Sequence, residues 1–158
     1  MNKNIQIAYI GGGSRLWARS LMNDLALDSS FQGTIRLYDI DYEAAKRNET
    51  IGNLLMAKQE AVGKFSFKAV KTLEEALTGA QFVLISILPA TFQEMSAYVH
   101  IPEKYGIYQT VGDTVGPAGI FRSLIMMPMI ETIALAIKTY CKDAYVLNFT
   151  NPMTITVQ

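Results

Sequence analysis

Three stretches of this sequence hold residue types whose spacing could do chemistry. The first is Gly11-Gly12-Gly13-Ser14, directly after the apolar, β-branched run Ile5–Ile10. Glycines in that place let the backbone approach a pyrophosphate, and the free N–H groups at the start of a following helix would point at it. Gly11 and Gly13 take the first two glycine positions of a G-x-G-x-x-G loop, while Leu16 stands in the third, which predicts a slightly wider helix–strand contact there. Asp39 closes the next strand, 26 residues after Gly13. A carboxylate at that point can accept both ribose hydroxyls of NAD and repels the extra phosphate of NADP.

The other two stretches lie in the second half. Gln109–Arg122, QTVGDTVGPAGIFR, gathers Gly112, Gly116, Pro117 and Gly119 around a single carboxylate, Asp113. Leu147–Met153, LNFTNPM, places Asn148, Thr150 and Asn151 at the carboxyl end of what reads as a buried strand, the end at which open α/β sheets bind ligands. Asn-Pro by itself is a common turn pair. Elsewhere the structural readings prevail. Trp17 is expected to pack helix against sheet, Asp41 to cap a helix, and His100, the one histidine, to be an ordinary surface residue. The single cysteine, Cys141, excludes an internal disulfide and a cysteine-pair metal site, which fits a reducing cytoplasm.

These residues need elements to position them, and strand-like and helix-like patterns alternate throughout. Strands are predicted at Ile5–Ile10, Thr34–Tyr38, Phe65–Val70, Phe82–Leu88 and Ala144–Phe149. Helices are predicted from Ser14, with Trp17, Leu21 and Leu25 on one face, and over Tyr42–Ala61. A short one opens at Thr72 with Glu75 three residues on. Thr91–Lys104 follows, broken near Pro102, and then Phe121–Tyr140, apolar nearly all round with a kink expected at Pro128. The order predicts one α/β domain, a Rossmann-like, doubly wound and mainly parallel sheet.

Composition narrows the function classes. Fourteen basic residues balance fourteen acidic ones, so the basic footprint of a nucleic-acid binder is missing. The longest charge-free stretch, Ala76–Gln93, is interrupted by Gly79, Gln81, Ser86 and Pro89, and no membrane span is expected. Half of the residues are hydrophobic and 18% are charged. The charges concentrate before residue 80, so the second half should present apolar surface that a further domain or a second subunit covers. A homo-oligomer is expected, and a sticky one if this half stays open.

GGGS at Gly11–Ser14, YDID at Tyr38–Asp41, GDTVGPAGIFR and LNFTNPM, in this order and spacing, resemble glycoside hydrolase family 4, whose members are NAD- and divalent-metal-dependent glycosidases. HIPEKYGIYQTVGDTVGP is most similar to the α-galactosidase and α-galacturonidase branch. The resemblance spans essentially the whole chain, residues 1–158, read as the NAD-binding domain. It implies oxidation at C3 of a sugar by NAD, loss of the C2 proton, elimination of the glycosidic oxygen, addition of water and return of the hydride, with a metal, manganese by expectation, polarising the developing carbonyl. Carried onto this sequence, Gly11, Gly13, Ser14 and Asp39 hold NAD, and Asn148 lines the nicotinamide side. Asn151 binds sugar hydroxyls, and Asp113 lies at the sugar or metal end of the cleft as the catalytic candidate. Ala118 and Ile125 depart from the family's usual glycine and arginine. Its metal-binding cysteine and histidine and its tyrosine base lie beyond the Asn-Pro motif, so no metal ligand is assigned here, and this chain alone is expected to be inactive.

Two other readings remain open on the residues alone. A lactate- or malate-type hydroxy-acid dehydrogenase shares the fold and an Asn-Pro strand end, but it would want arginines to clamp a carboxylate, and residues 89–121 contain none. A non-catalytic NAD-sensing module would show the same glycine loop.

Overall fold

The computed structural model describes residues 4–112 and 114–157. Five strands form one sheet in the order β3-β2-β1-β4-β5: β1 Asn4–Ile10, β2 Gln32–Tyr38, β3 Lys64–Val70, β4 Phe82–Ile85 and β5 Tyr145–Asn148. The sheet is parallel, with β1 paired to β2 and β4 and β2 paired to β3. Strand order therefore runs one way from β1 to β3 and the other way from β4 to β5. Ile10 sits opposite Tyr38 on one side and Ile85 on the other, so the segment after β1 emerges at the point where the order reverses. This is the Rossmann-like α/β fold that the alternating pattern predicts.

The helices are α1 Trp17–Ala26, α2 Tyr42–Met56, α3 Leu73–Leu77, α4 Phe92–His100, α5 Gly116–Tyr140 and α6 Met153–Thr156. The chain divides into two compact units. One comprises the chain up to Ile87 with Ala136–Leu147; the other comprises Leu88–Leu135 with the chain from Asn148 onward. The core of the first unit joins Tyr9, Ile35, Leu37, Phe65, Phe67 and Leu84 from the sheet to Ala18, Met22 and Ala45 from α1 and α2. The second has a smaller cluster, Ala90, Tyr98, Val99 and Ala118, with Met95 and Ile125 packed on it.

Several boundaries differ from the sequence pattern for identifiable reasons. Helix α2 stops at Met56, short of Ala61, because the Val62 and Gly63 N–H groups both donate to the Ala26 carbonyl at the end of α1, and the chain must turn first. Strand β4 ends at Ile85. The Ser86 N–H makes one more bond, to Ile10 O, and Pro89 has no N–H with which to continue. Thr91 and Glu94 form a complete capping box on α4. Pro102 then turns the chain into a 3-10 helix, Ile101–Tyr105. Helix α5 begins at Gly116, five residues before the periodicity shows it, with Pro117 in its first turn, where a missing N–H costs nothing.

Two expectations about burial are corrected. Trp17 is 59% exposed, because α1 starts at that residue and turns Ala18, Met22 and Ala26 to the sheet, one residue out of phase with the predicted face. Strand β5 is exposed along Tyr145–Leu147, since it lies at the edge of the sheet; the Tyr145 ring stacks on Phe82 with centroids 5.7 Å apart. Helix α5 is long and apolar enough to cross a membrane by length and composition alone. Ile120, Leu124 and Leu135 on it are exposed.

Candidate functional site

The segment Gly11–Ser14 is a tight loop in which none of the three glycines has room for a Cβ. Gly11 has φ +93°, and a Cβ there would lie 2.0 Å from the Ser86 carbonyl oxygen at the end of β4. A Cβ on Gly13 would lie 2.7 Å from the Ala44 Cβ and 2.8 Å from Asp39 Oδ2. Leu16 is 68% exposed and makes no close helix–strand contact. Ala18, two residues later, is buried in the core cluster with residues of the sheet.

The loop's own hydrogen bonds decide what it can offer a ligand. Gly11 and Gly12 N–H both donate to Tyr38 O, and Ser14 N–H donates to Gly11 O. Ser14 Oγ accepts from Trp17 N at 3.1 Å, although the N-cap position of α1 falls on Leu16 and not on Ser14. Gly13 N–H donates to Asp39 Oδ2 at 2.9 Å, and Asp41 N–H donates to Asp39 Oδ1 at 3.0 Å. Each Asp39 oxygen keeps a further lone pair that can accept a hydroxyl. Asp41 caps α2 through Ala44 N, as its position predicts. Among the described residues, the Arg15 and Leu16 N–H groups have no acceptor, and both residues are exposed.

One residue at this loop carries no motif. Asn48, on α2 and 1% exposed, donates from Nδ2 to Gly12 O at 2.8 Å and to Ser14 O at 2.9 Å. Its Oδ1 accepts from Arg19 Nε on α1 at 3.0 Å. The sequence does contain a signal for it: Ala45, Asn48 and Gly52 form the buried face of an otherwise polar helix, and an amide on such a face needs partners.

The second unit holds the other candidates. Asn148 Nδ2 donates to Thr150 O and to Thr156 Oγ1, and Asn148 Oδ1 accepts from Thr150 N. Its side chain thus closes the Asn-Pro loop on itself. The Asn151 side chain is exposed, while its carbonyl oxygen accepts from Arg122 Nε at 3.2 Å. Arg122, a charge buried to 5% exposure, closes the QTVGDTVGPAGIFR stretch and was not picked out by sequence reasoning. Gln109, at the other end of that stretch, donates to Tyr98 O and Val99 O and accepts from Ala118 N. Asp113 lies outside the described residues. His100 is exposed and pairs with Glu103 at 2.9 Å, in line with its ordinary reading.

The described candidates therefore fall into two groups: Gly11, Gly13, Ser14 and Asp39 around one loop, and Asn148 and Asn151 around another. A cleft of about 800 Å³, lined by Ile5, Phe31, Phe82, Tyr140, Cys141 and Tyr145 among others, contains none of them. Burial pushes the Cys141 thiol above its ordinary value. Among the described residues, no group of three or more histidine, cysteine, aspartate or glutamate side chains could hold a metal ion.

A parallel sheet whose order reverses beside a glycine loop, with a carboxylate ending the neighbouring strand, defines the Rossmann-like class. Within it, residues 6–158 match the model of the family 4 glycosyl hydrolases, and the chain belongs to that family. It is 62% identical over 155 residues to the alpha-galacturonidase of Thermoanaerobacterium saccharolyticum, covering 98% of this chain and 33% of the relative. The crystal structure of lplD from Bacillus subtilis is 51% identical, with a TM-score of 0.90, over 97% of this chain and 34% of that one. The 6-phospho-beta glucosidase of Thermotoga maritima, solved with manganese, NAD+ and glucose-6-phosphate, is 27% identical with a TM-score of 0.78, over 94% and 35%. The chain spans about a third of the length of the curated relatives it matches.

Proposed function

We propose that this chain is the NAD-binding part of a family 4 glycosidase that acts on α-galacturonides. The observation that carries the reading is the glycine loop with Asp39 seated against Gly13, in a chain with 62% identity to an alpha-galacturonidase. The alpha-galactosidase of Bacillus subtilis is 34% identical, which favours the galacturonide over the galactoside. Two features fit a dinucleotide: a loop that any Cβ would fill, and a carboxylate already oriented by two backbone N–H groups. Bound NAD would supply a hydride acceptor for the sugar.

In this reading Asp39 holds the ribose hydroxyls and excludes a 2′-phosphate, and the open N–H groups of Arg15 and Leu16 face the pyrophosphate. Gly11 and Gly13 keep the backbone close, and the Ser14 hydroxyl accepts from the first N–H of α1. Asn148 organises the loop on the nicotinamide side, Asn151 donates to and accepts from sugar hydroxyls, and Asp113 serves the sugar or metal end. Among the described residues no group of side chains assembles a metal site. We place the protein in the cytoplasm as a homo-oligomer with neither a membrane nor a nucleic-acid partner.

Titration with NAD, followed by the fluorescence of exposed Trp17 and by calorimetry, tests the binding reading. Saturable binding that prefers NAD over NADP supports it, and its absence overturns it. Asp39→Ala should abolish most of the preference for NAD over NADP. Release of a chromophore from an aryl α-galacturonide by the full-length protein, and not by this chain alone, tests the substrate.

A further inference from the structure

We propose that Asn48 is a positioning residue for dinucleotide binding, an inference that rests on the NAD reading above. In a trans peptide the C=O and the following N–H point in opposite directions. By donating to Gly12 O, Asn48 turns the Gly13 N–H the other way, onto the Asp39 carboxylate. By donating to Ser14 O, it turns the Arg15 N–H away from α2, where no protein acceptor meets it among the described residues. One buried amide on a distant helix thus sets two peptide planes: one aims the ribose-binding carboxylate, and the other leaves a donor open for the pyrophosphate.

The amide has only one workable orientation. Arg19 Nε is a donor and must face Oδ1, which commits both Nδ2 hydrogens to the loop carbonyls. The opposite orientation would set Oδ1 against two carbonyl oxygens and Nδ2 against a cation. Arg19 therefore acts through Asn48, and the pair links α1, α2 and the glycine loop after β1. Preorganisation of this kind means that the loop does not have to rotate its peptides when the ligand arrives.

Calorimetric NAD affinity and the amide NMR signal of Arg15, measured on this protein and on Asn48→Leu, form the test. Leucine is close in size and removes only the polar contacts. The expected result is an NAD affinity about tenfold weaker in the folded variant, equivalent to one lost buried hydrogen bond. In the wild type, the Arg15 amide proton should move downfield on NAD binding, and in the variant this shift should be lost. A variant that unfolds at lower temperature but keeps its NAD affinity and its Arg15 shift would overturn the proposal, because a structural role alone predicts that pattern. If Asn48→Leu does not fold, Asn48→Ser, which leaves room for a bridging water, should show the same two effects more weakly, and unchanged values there overturn the proposal equally. A wild type that binds no NAD overturns the nucleotide reading itself, whereas equal binding by wild type and variant overturns only the role of Asn48.

Discussion

The glycine loop after β1 takes its shape from side chains that are absent, whereas the Asn148–Pro152 loop takes its shape from side chains of its own. In the first, removing Cβ atoms lets backbone meet backbone, and the polar work is done by residues from elsewhere, Asp39 and Asn48. In the second, Asn148 bonds both backbone groups of Thr150 and the Thr156 hydroxyl, all within eight residues. A loop of the first kind depends on long-range packing and should fail with it. The second loop is braced mainly by its own Asn148 side chain, beside a long-range bond from Arg122 to the Asn151 carbonyl, and should tolerate more.

Substitutions can break or sharpen that contrast. The largest effect is expected from Gly11→Ala, which combines a left-handed φ with a methyl group placed on the Ser86 carbonyl; it should cost about 3 kcal/mol or more in urea unfolding. A cost near zero would mean that the loop is not held by the sheet. Asn148→Ala should cost less, about 1–3 kcal/mol, through the loss of its own hydrogen bonds to Thr150 and Thr156, and limited proteolysis should then cut near Phe149. Equal losses at the two positions would erase the distinction between them.

A smaller effect concerns pH. Burial tends to raise the Glu49 carboxyl, but hydrogen bonds from Lys46 and from the Ala69 N–H outweigh it, and the group ends below its ordinary value. A depressed folded value means that the stabilisation is fully present above the usual carboxylate range and is lost as pH falls through the folded value. Thermal unfolding followed below about pH 5 should therefore fall less steeply for Glu49→Gln than for the wild type. Parallel curves would show that the α2–β3 contact carries no such linkage.

The smallest expected change in stability accompanies the clearest change in association. Leu124→Glu, on the exposed face of α5, should alter unfolding by no more than about 0.5 kcal/mol. Sedimentation velocity should show less self-association than in the wild type. If the wild type is monomeric at high concentration, the exposed apolar half is not a driver of assembly.

The fold and most of the first loop were legible in the sequence because their signals are local. Strand and helix periodicities alternate, a run of glycines follows the first strand, and an acid closes the second. The caps at Asp41 and Thr72 were equally readable, since each is a matter of three or four residues. Trp17, the end of α2 and the exposure of β5 were not. Each depends on which partner the chain finds across the fold: the phase of α1 on the sheet, the Ala26 carbonyl that captures residues 62 and 63, and the place of β5 at the sheet's edge.

What the sequence by itself determined is the type of loop and the chemistry it can offer, because glycine, serine and aspartate carry those properties wherever they lie. Only the tertiary structure decided which atoms remain open. Asn48 and Arg19 are 29 residues apart and join no motif, yet their hydrogen bonds to each other and to the loop choose the direction of two peptide planes. Hydrogen-bond direction is a property of three-dimensional neighbours, and a linear pattern of residue types does not contain it.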